Sequence, residues 1–356
     1  MSLKSGGAVT VQADSPVSAH RSLQNERSFS ARRFILQWEW LLLLLFIVVN
    51  VINASISPNY LVFDNLMHAF MVFSDRAILV FPMMMIILMG DIDISIASTM
   101  ALSAVVMGVS YNVGLPMIPA IVLALMVGTT CGLFNGVLLA KFKELSPIIV
   151  TLVGMILFRG IASIMLENRA AGDFPSWFRN LGWGYVGRVP IVFIFIIVQA
   201  LVFGYMIHFT EFGRNLYAIG NNETAAKYSG VKTDKIRTIV FMTMGLFAAI
   251  SGIFLASRMG SVRPSMALGY EMDVIAMVVL GGVSNLGGKG RLIGVVIATF
   301  IVGFLRFGLG IANVPSQVIM IIVGALLIVA VIIPNIKATL YGSKWHKTII
   351  KKRKGN

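Results

Sequence analysis

Two aspartates, Asp91 and Asp93, follow an apolar run and are the residues whose spacing most suggests acid–base chemistry. Paired carboxylates can serve as general acid and general base when both reach the same bond. Two positions apart on a helix they would point away from each other, and no neighbouring histidine or nucleophile supports chemistry. The pattern favours a structural or gating role, or simple exposure at an interface, over catalysis.

The glycine-rich segments 281–282 and 287–290 resemble phosphate-binding loops only superficially. The pattern G-x-x-x-x-G-K-[ST] is absent and no buried strand precedes them, so we predict no nucleotide site and no cofactor. We expect the glycines instead to allow a tight turn and close helix packing. The four histidines are isolated and the single cysteine, Cys131, lies in an apolar run. We therefore expect no metal site and no disulfide framework.

The elements that position these residues follow from the composition. Hydrophobic residues make up 57% of the 356 residues and charged residues only 12%, whereas a soluble domain carries about 25% charged residues. This excludes a soluble enzyme and a nucleic-acid-binding domain, and we expect no nucleic-acid partner. The apolar runs do not alternate as barrel strands do. The sequence predicts an all-α polytopic membrane protein.

About ten transmembrane helices are predicted. The eighth is short, and the sequence leaves open whether it spans the bilayer, re-enters it or is broken. Their approximate limits are 38–55, 66–89, 95–112, 116–139, 147–166, 190–209, 238–257, 271–283, 292–310 and 316–334.

The positive-inside rule orients these spans. With the N-terminus in the cytoplasm, 21 of the 29 basic residues, including every lysine, fall on the cytoplasmic side. Nine or eleven spans would move the lysine-rich C-terminal tail outside, so both termini are predicted to be cytoplasmic. The predicted domains are a disordered tail over 1–37, a transmembrane domain over 38–334, and a basic tail over 335–356 that lies against anionic lipid headgroups.

The long polar segment 210–237 between the sixth and seventh spans is the most informative part of the chain. Asn221 or Asn222 can cap a short helix, Glu223 suits its positive end, and Gly230 can end it. A helix of about two turns is too short to be stable alone and must rest on a partner. From the residues alone, an ordinary capped turn is an equally good interpretation.

Segment 210–237 resembles the cytoplasmic signature of ribose-type ABC importer permeases, also called the ribose/autoinducer-2 type. The residues that carry the resemblance are Thr210, Phe212–Arg214, Ala218–Gly220, Asn222, Glu223, Ala225, Ala226 and Ser229–Val231. Further motifs occur in the family's order, namely Gly90–Ser95, Gly132–Gly136, Phe158–Gly160, Tyr270–Ala276, Gly281–Ser284 and Gly287–Arg291. The family usually has Gly-Gly-Ile-Asp-Leu-Ser in the first of these motifs, so Asp93 matches its acid while Asp91 replaces a glycine.

The resemblance implies that the loop contains a coupling helix that docks onto an ATP-binding subunit. The implied coupling residues are Gly220, Asn222, Glu223, Ala225, Ala226, Ser229 and Gly230. For the translocation path or its gates the candidates are Asp91, Asp93, Ser95, Asn135, Glu271 and Asp273. Glu271 and Asp273 open the eighth segment, where acids also simply complement the helix dipole.

The implied protein is a permease subunit in the bacterial inner membrane that carries a monosaccharide or a sugar-like solute and is not an enzyme. Its implied partners are the ATP-binding subunit, a second permease subunit in a homo- or heterodimer, and a periplasmic solute-binding protein. A nucleoside or branched-chain amino-acid ABC permease is the nearest alternative. A proton-coupled transporter using Asp91 and Asp93 is a further one, but it gives no reason for the signature in segment 210–237.

Overall fold

The computed structural model describes residues 38–167, 169–326 and residue 328, and these residues are mostly helical. The predicted tails at 1–37 and 335–356, and the end of the tenth predicted span, lie outside the described residues. The helices are α1 (Trp38–Ile56), α2 (Phe63–Leu88), α3 (Ile96–Asn112), α4 (Met117–Lys141), α5 (Pro147–Leu166), α6 (Ser176–Trp183), α7 (Ile191–Phe209), α8 (Glu211–Asn221), α9 (Glu223–Tyr228), α10 (Thr233–Met259), α11 (Tyr270–Leu280), α12 (Leu292–Ile311) and α13 (Ser316–Leu326).

Seven of these helices, α1, α2, α4, α5, α7, α10 and α12, are long and apolar enough to cross a membrane. Helices α3 and α13 are apolar but shorter. Helix α11 has 11 residues and is about 16 Å long at about 1.5 Å per residue, roughly half the hydrocarbon thickness. Each of the first nine predicted spans overlaps one helix, and the described part of the tenth overlaps α13. The structure confirms an all-α polytopic membrane protein, while the number of helices that cross the bilayer remains a prediction.

Within the described residues, four strands of two residues each link the connections between helices. Strands β1 (Ala171–Gly172) and β4 (Ser261–Val262) pair antiparallel with Ala171 opposite Val262, which ties the segment after α5 to the end of α10. Strands β2 (Tyr185–Val186) and β3 (Val189–Pro190) form a hairpin. These short ladders therefore connect helices without forming a layer of their own.

Helix α2 is the centre of the packed helices. In its most apolar 18-residue stretch, 89% of the residues are buried by the rest of the protein, compared with 17% for α1 and 28% for α5 and α7. The unbroken run of buried residues from Ala77 to Leu88 covers every face of the helix. Polar side chains in the buried part of α2 therefore meet other parts of the protein, which makes charged residues tolerable there.

Helices α4 and α10 approach each other closely because glycines face the contact. A Cβ atom on Gly132 would lie 2.2 Å from the carbonyl oxygen of Phe241, and one on Gly245 would lie 2.1 Å from the carbonyl oxygen of Gly128. Small residues at facing positions are a common means of bringing helix backbones together in membranes. This contact fixes the position of the first turns of α10, which carry part of the candidate site.

Candidate functional site

The polar segment 210–237, called the elbow below, forms two short helices and the start of α10. Thr210 caps α8 by accepting a hydrogen bond from the Gly213 amide at 3.3 Å. Asn222 caps α9 by accepting one from the Ala225 amide at 2.9 Å. The sequence predicted a single helix near 222–230, whereas α9 has six residues and the 11-residue α8 precedes it.

Glycine 230 and its neighbours end α9 as the sequence predicted. Gly230 has a φ of +89°, the left-handed conformation that glycine adopts at no steric cost. The Ser229 hydroxyl donates a hydrogen bond to the carbonyl oxygen of Ala225 at 2.9 Å. Ala226 is the only buried residue of α9. Most of its other side chains are exposed, and Tyr228 is 90% exposed. The elbow thus presents a short helix with one anchored side and one free side.

Gly220 anchors the elbow to the end of α2. A Cβ atom at this position would lie 1.9 Å from the carbonyl oxygen of Leu88 and 2.3 Å from the amide nitrogen of Gly288. The Gly288 amide donates to that same Leu88 carbonyl at 2.8 Å. Asn221 Nδ2 donates to the Gly288 carbonyl at 3.3 Å. The last turn of α8, the end of α2 and the glycine turn before α12 therefore meet backbone to backbone.

Arg237, in the second turn of α10, joins two of the predicted acids. Its Nε donates to Asp91 Oδ2 at 2.8 Å, while Nη1 and Nη2 donate to the two carboxylate oxygens of Glu223 at 3.1 and 2.8 Å. The Arg237 and Asp91 side chains are 10% and 5% exposed, and that of Glu223 is 37% exposed. We call Asp91, Glu223 and Arg237 the inner triad; it links α9, the start of α10 and the break that follows α2.

The charge of Glu223 is stabilised by these contacts. Burial alone raises the pKa of the Glu223 carboxyl, but the hydrogen bonds and charge of Arg237, with the nearby charge of Lys143, outweigh it. The pKa of Glu223 consequently lies below its ordinary value of 4.5. Lys143 also forms an exposed ion pair with Asp234, so a second, solvated pair lies beside the inner triad.

The break between α2 and α3 brings together Asp93, Ser95 and Asn135. Asp93 Oδ1 accepts hydrogen bonds from the Ser95 amide at 2.8 Å and the Ser95 hydroxyl at 2.7 Å. Asn135 Nδ2, on α4, donates to the Ser95 hydroxyl at 2.9 Å. Asp91 and Asp93 therefore have different partners, which removes the geometric basis for a shared acid–base reaction.

A second charged cluster lies further along α2, about 18 Å from Leu88 at Arg76. Asp273 accepts a hydrogen bond from Arg76 Nε at 2.7 Å and another from Arg306. Asp75 pairs with Arg258. The Arg76 guanidinium also lies 3.7 Å from the centre of the Tyr270 ring. We call Asp75, Arg76, Arg258, Asp273 and Arg306 the arginine cluster.

Glu271 stays outside the arginine cluster, although the sequence grouped it with Asp273. Among the described residues it forms no salt bridge, and its Oε2 atom is buried without a hydrogen-bond partner. Arg159 on α5 also lies apart from this cluster, since Nη1 donates to the carbonyl oxygens of Pro264 and Met266. These hydrogen bonds satisfy carbonyl oxygens of the non-helical segment just before α11. Such oxygens need a partner inside a membrane protein, because no water is present to bind them.

Sequence reasoning missed four participants of these clusters. Arg237 was counted only as a basic residue of the loop, and Asp75, Arg76 and Arg258 were not singled out. A signal for Asp75 and Arg76 was present, because an Asp–Arg dipeptide interrupts the apolar second span. No comparable local signal marks Arg237, whose partner Asp91 is 146 residues away in sequence. Among the described residues, no group of three or more His, Cys, Asp or Glu side chains could hold a metal ion.

Comparison with known proteins gives consistent matches. The family described as "Branched-chain amino acid transport system / permease component" matches residues 65–331. Ribose import permease protein RbsC of Haemophilus influenzae is 34% identical over 323 residues, covering 89% of this chain and 99% of that protein. RbsC of Escherichia coli K12 is 34% identical over 319 residues, covering 87% of this chain and 99% of that protein.

A third relative is the autoinducer 2 import system permease protein LsrD of Escherichia coli O9:H4. It is 35% identical over 301 residues, covering 83% of this chain and 91% of that protein. No solved structure matches the chain. The family match covers the helices from α2 onward except its first two residues, together with the elbow and both charge clusters, and the chain belongs to the family of branched-chain amino acid transport system permease components.

Proposed function

We propose that the chain is the transmembrane permease subunit of a bacterial ABC importer, and that it moves a monosaccharide or sugar-like solute into the cytoplasm. The names of the relatives support this solute class, since they are import permeases for ribose and for autoinducer 2. The observation that carries the proposal is the elbow, in which α9 has one free side and one side fixed to the membrane helices.

In this proposal α9 is the coupling helix, which docks into a groove of a separate ATP-binding subunit. Ala225, Ser229 and Gly230 give its exposed side a small profile that allows close approach, and Tyr228 supplies an aromatic anchor of the kind that dominates many interfaces. Closure of the ATP-binding subunits moves α9, and the membrane helices then alternate between outward and inward access. The chain itself makes and breaks no covalent bonds.

The assembly contains a second permease subunit, in a homo- or heterodimer, and a periplasmic binding protein that delivers the solute. The chain lies in the inner membrane with ten spans and both termini in the cytoplasm. This orientation is supported by the 21 of 29 basic residues that it places on the cytoplasmic side. It puts the elbow and the inner triad at the cytoplasmic surface, where an ATP-binding subunit can reach them.

The two charged regions are assigned to the two ends of the translocation path. Asp91, Asp93, Ser95 and Asn135 form the inner gate, where the chain leaves α2 and enters α3. Glu271 and Asp273 form the outer gate at the start of the half-length helix α11. A half-length helix with buried irregular backbone before it is typical of transporter regions that line a cavity.

Uptake by reconstituted vesicles tests the proposal. The permease, its ATP-binding subunit and its binding protein are placed in liposomes, and uptake of labelled ribose, xylose, galactose, rhamnose and autoinducer 2 is measured with and without ATP. We expect ATP-dependent uptake of one of them. Uptake by the permease alone in a pH gradient would instead show a secondary transporter. Uptake of leucine, which the description of the family suggests, or of a nucleoside would show that the proposed class of a monosaccharide or sugar-like solute is wrong.

A charge reversal tests the coupling assignment separately. Glu223→Arg should preserve membrane insertion but abolish most ATP-driven uptake, because it places a second positive charge against Arg237 and turns α9 away from its seat. The matched control is Glu211→Arg, which makes the same change at an exposed first-turn acid of α8. Uptake by Glu223→Arg at the level of the control would refute the assignment of α9 to coupling.

A further inference from the structure

Arg237 holds a buried position from which its side chain reaches two separate elements at once. All three guanidinium nitrogens donate hydrogen bonds, one to Asp91 and two to Glu223. Asp91 belongs to the break between α2 and α3, whereas Glu223 belongs to α9. The guanidinium is planar and its donors keep a fixed geometry. Because of this, displacement of one carboxylate must rotate the guanidinium and so shift its hydrogen bonds to the other carboxylate.

Stability alone gives a weak account of this arrangement. A buried ion pair loses so much hydration that an apolar replacement is often as stable, so its presence argues poorly for a stabilising role. Firm packing of the elbow is already provided by the backbone contact of Gly220 with Leu88 and Gly288. The triad adds a second, directional connection on the side of α9 that faces α10.

Asp91 connects the inner triad to the residues that follow it in the chain. Asp91 lies two residues before Asp93, whose carboxylate binds Ser95, which in turn binds Asn135 on α4. A continuous set of hydrogen bonds and covalent links therefore runs from α9 to the inner gate.

We propose that Arg237 is a positioning residue, and that its bonds to Glu223 and Asp91 transmit the movement of α9 to the break that forms the inner gate. This inference rests on the proposed function, because it presumes that an ATP-binding subunit moves α9. It assigns docking and transmission to different contacts. The exposed side of α9 binds the ATP-binding subunit, and the inner triad converts that binding into movement of residues 90–95.

The test removes transmission while leaving docking intact. Asp91→Asn keeps the size of the side chain and leaves α9 and Glu223 unaltered. We expect this variant to bind the ATP-binding subunit and hydrolyse ATP within about two-fold of wild type, while solute transported per ATP falls at least about ten-fold. Asp91→Glu, which restores a carboxylate, should recover at least about half of the wild-type ratio.

Asp234→Asn is the matched control, since it is the same chemical change beside the triad. The Asp234 side chain is 45% exposed and pairs with Lys143, itself 40% exposed, and such solvated pairs contribute little. We expect a normal ratio of transport to hydrolysis. An equal fall in the control would overturn the inference, as would an unchanged ratio in Asp91→Asn.

Arg237→Lys provides a second route if Asp91→Asn does not assemble. Lysine keeps the charge but has a single nitrogen, which cannot occupy the positions of both Nε and the two Nη atoms. We expect the same loss of coupling with ATP hydrolysis retained, and a normal ratio would overturn the inference. If the wild-type complex shows no ATP-driven uptake at all, the proposed function fails; if it transports normally and the variants do too, only the transmission role fails.

Discussion

Neutralising Asp273 should damage the folded protein more than any neutralisation of a surface acid. Its carboxylate lies between Arg76 and Arg306, and the three side chains are 6%, 14% and 17% exposed. In Asp273→Asn both guanidinium groups stay charged and buried, but the compensating negative charge is gone. The amide oxygen can still accept one hydrogen bond, and Arg76 keeps its contact with the Tyr270 ring.

The size of the effect follows from these contacts. Removing one partner of a buried ion pair costs about 3–5 kcal/mol, because the other charge is left uncompensated. The hydrogen bond that the amide retains places Asp273→Asn near the lower limit, at about 3 kcal/mol. The matched control is Asp64→Asn, whose pair with Arg188 has side chains 65% and 73% exposed. Exposed pairs are worth about 0–1 kcal/mol.

Thermal unfolding of the purified chain in one detergent measures the difference. An unfolding entropy of about 2.1 cal/mol/K per residue gives about 1.3 °C per kcal/mol for 356 residues. The melting temperature of Asp273→Asn should therefore lie about 4 °C below that of wild type. The control should stay within about 1 °C of wild type. Equal melting temperatures for the two variants would refute the view that the ion pairs of the arginine cluster are shielded from water and stabilise the folded protein.

Two further predictions concern the elbow. Gly220→Ala should displace α8 from the end of α2, because its Cβ atom would lie 1.9 Å from the Leu88 carbonyl oxygen. We expect faster proteolysis of segment 210–237 and a loss of ATP-driven uptake. Wild-type behaviour in both assays would contradict the contact between Gly220 and Leu88. The lowered pKa of Glu223 means that its ion pair with Arg237 contributes fully above the ordinary pKa and is lost only as the pH falls through the lowered one. The solute transported per ATP should therefore be constant between about pH 6 and pH 8 and fall only in stronger acid, and a midpoint near neutrality would contradict the pairing.

The sequence predicted the local features of the elbow that depend on residues close to one another. The cap at Asn222 and the helix end at Gly230 follow from side-chain and backbone preferences that act within a few residues. Helix α8 was not expected, because Gly213 and Gly220 lower helix propensity. Those glycines are explained by tertiary contacts, since a Cβ atom at Gly213 would lie 2.0 Å from the Ile207 carbonyl oxygen.

The long-range pairings could not be derived in the same way. Composition and the lengths of apolar runs predicted the helical membrane fold, and within the described residues a helix overlaps each predicted span. The partners of Asp91 and Asp273, however, depend on which helix faces do not meet lipid. Apolar runs look alike whether they face lipid or protein, so the composition of α2 does not reveal its central position. The Asp75–Arg76 dipeptide was the one local signal that this span packs against protein, and it does not identify the partners.

The central position of α2 has a consequence for how the chain is synthesised. Asp75 emerges from the ribosome 183 residues before its partner Arg258. At about 5–20 residues per second, Asp75 waits about 10–40 s for that partner. During this interval α2 carries uncompensated charges that hydrocarbon does not accept. Helix α2 must therefore remain beside the insertion machinery, or in contact with earlier helices, until α10 and α12 arrive to complete its surroundings.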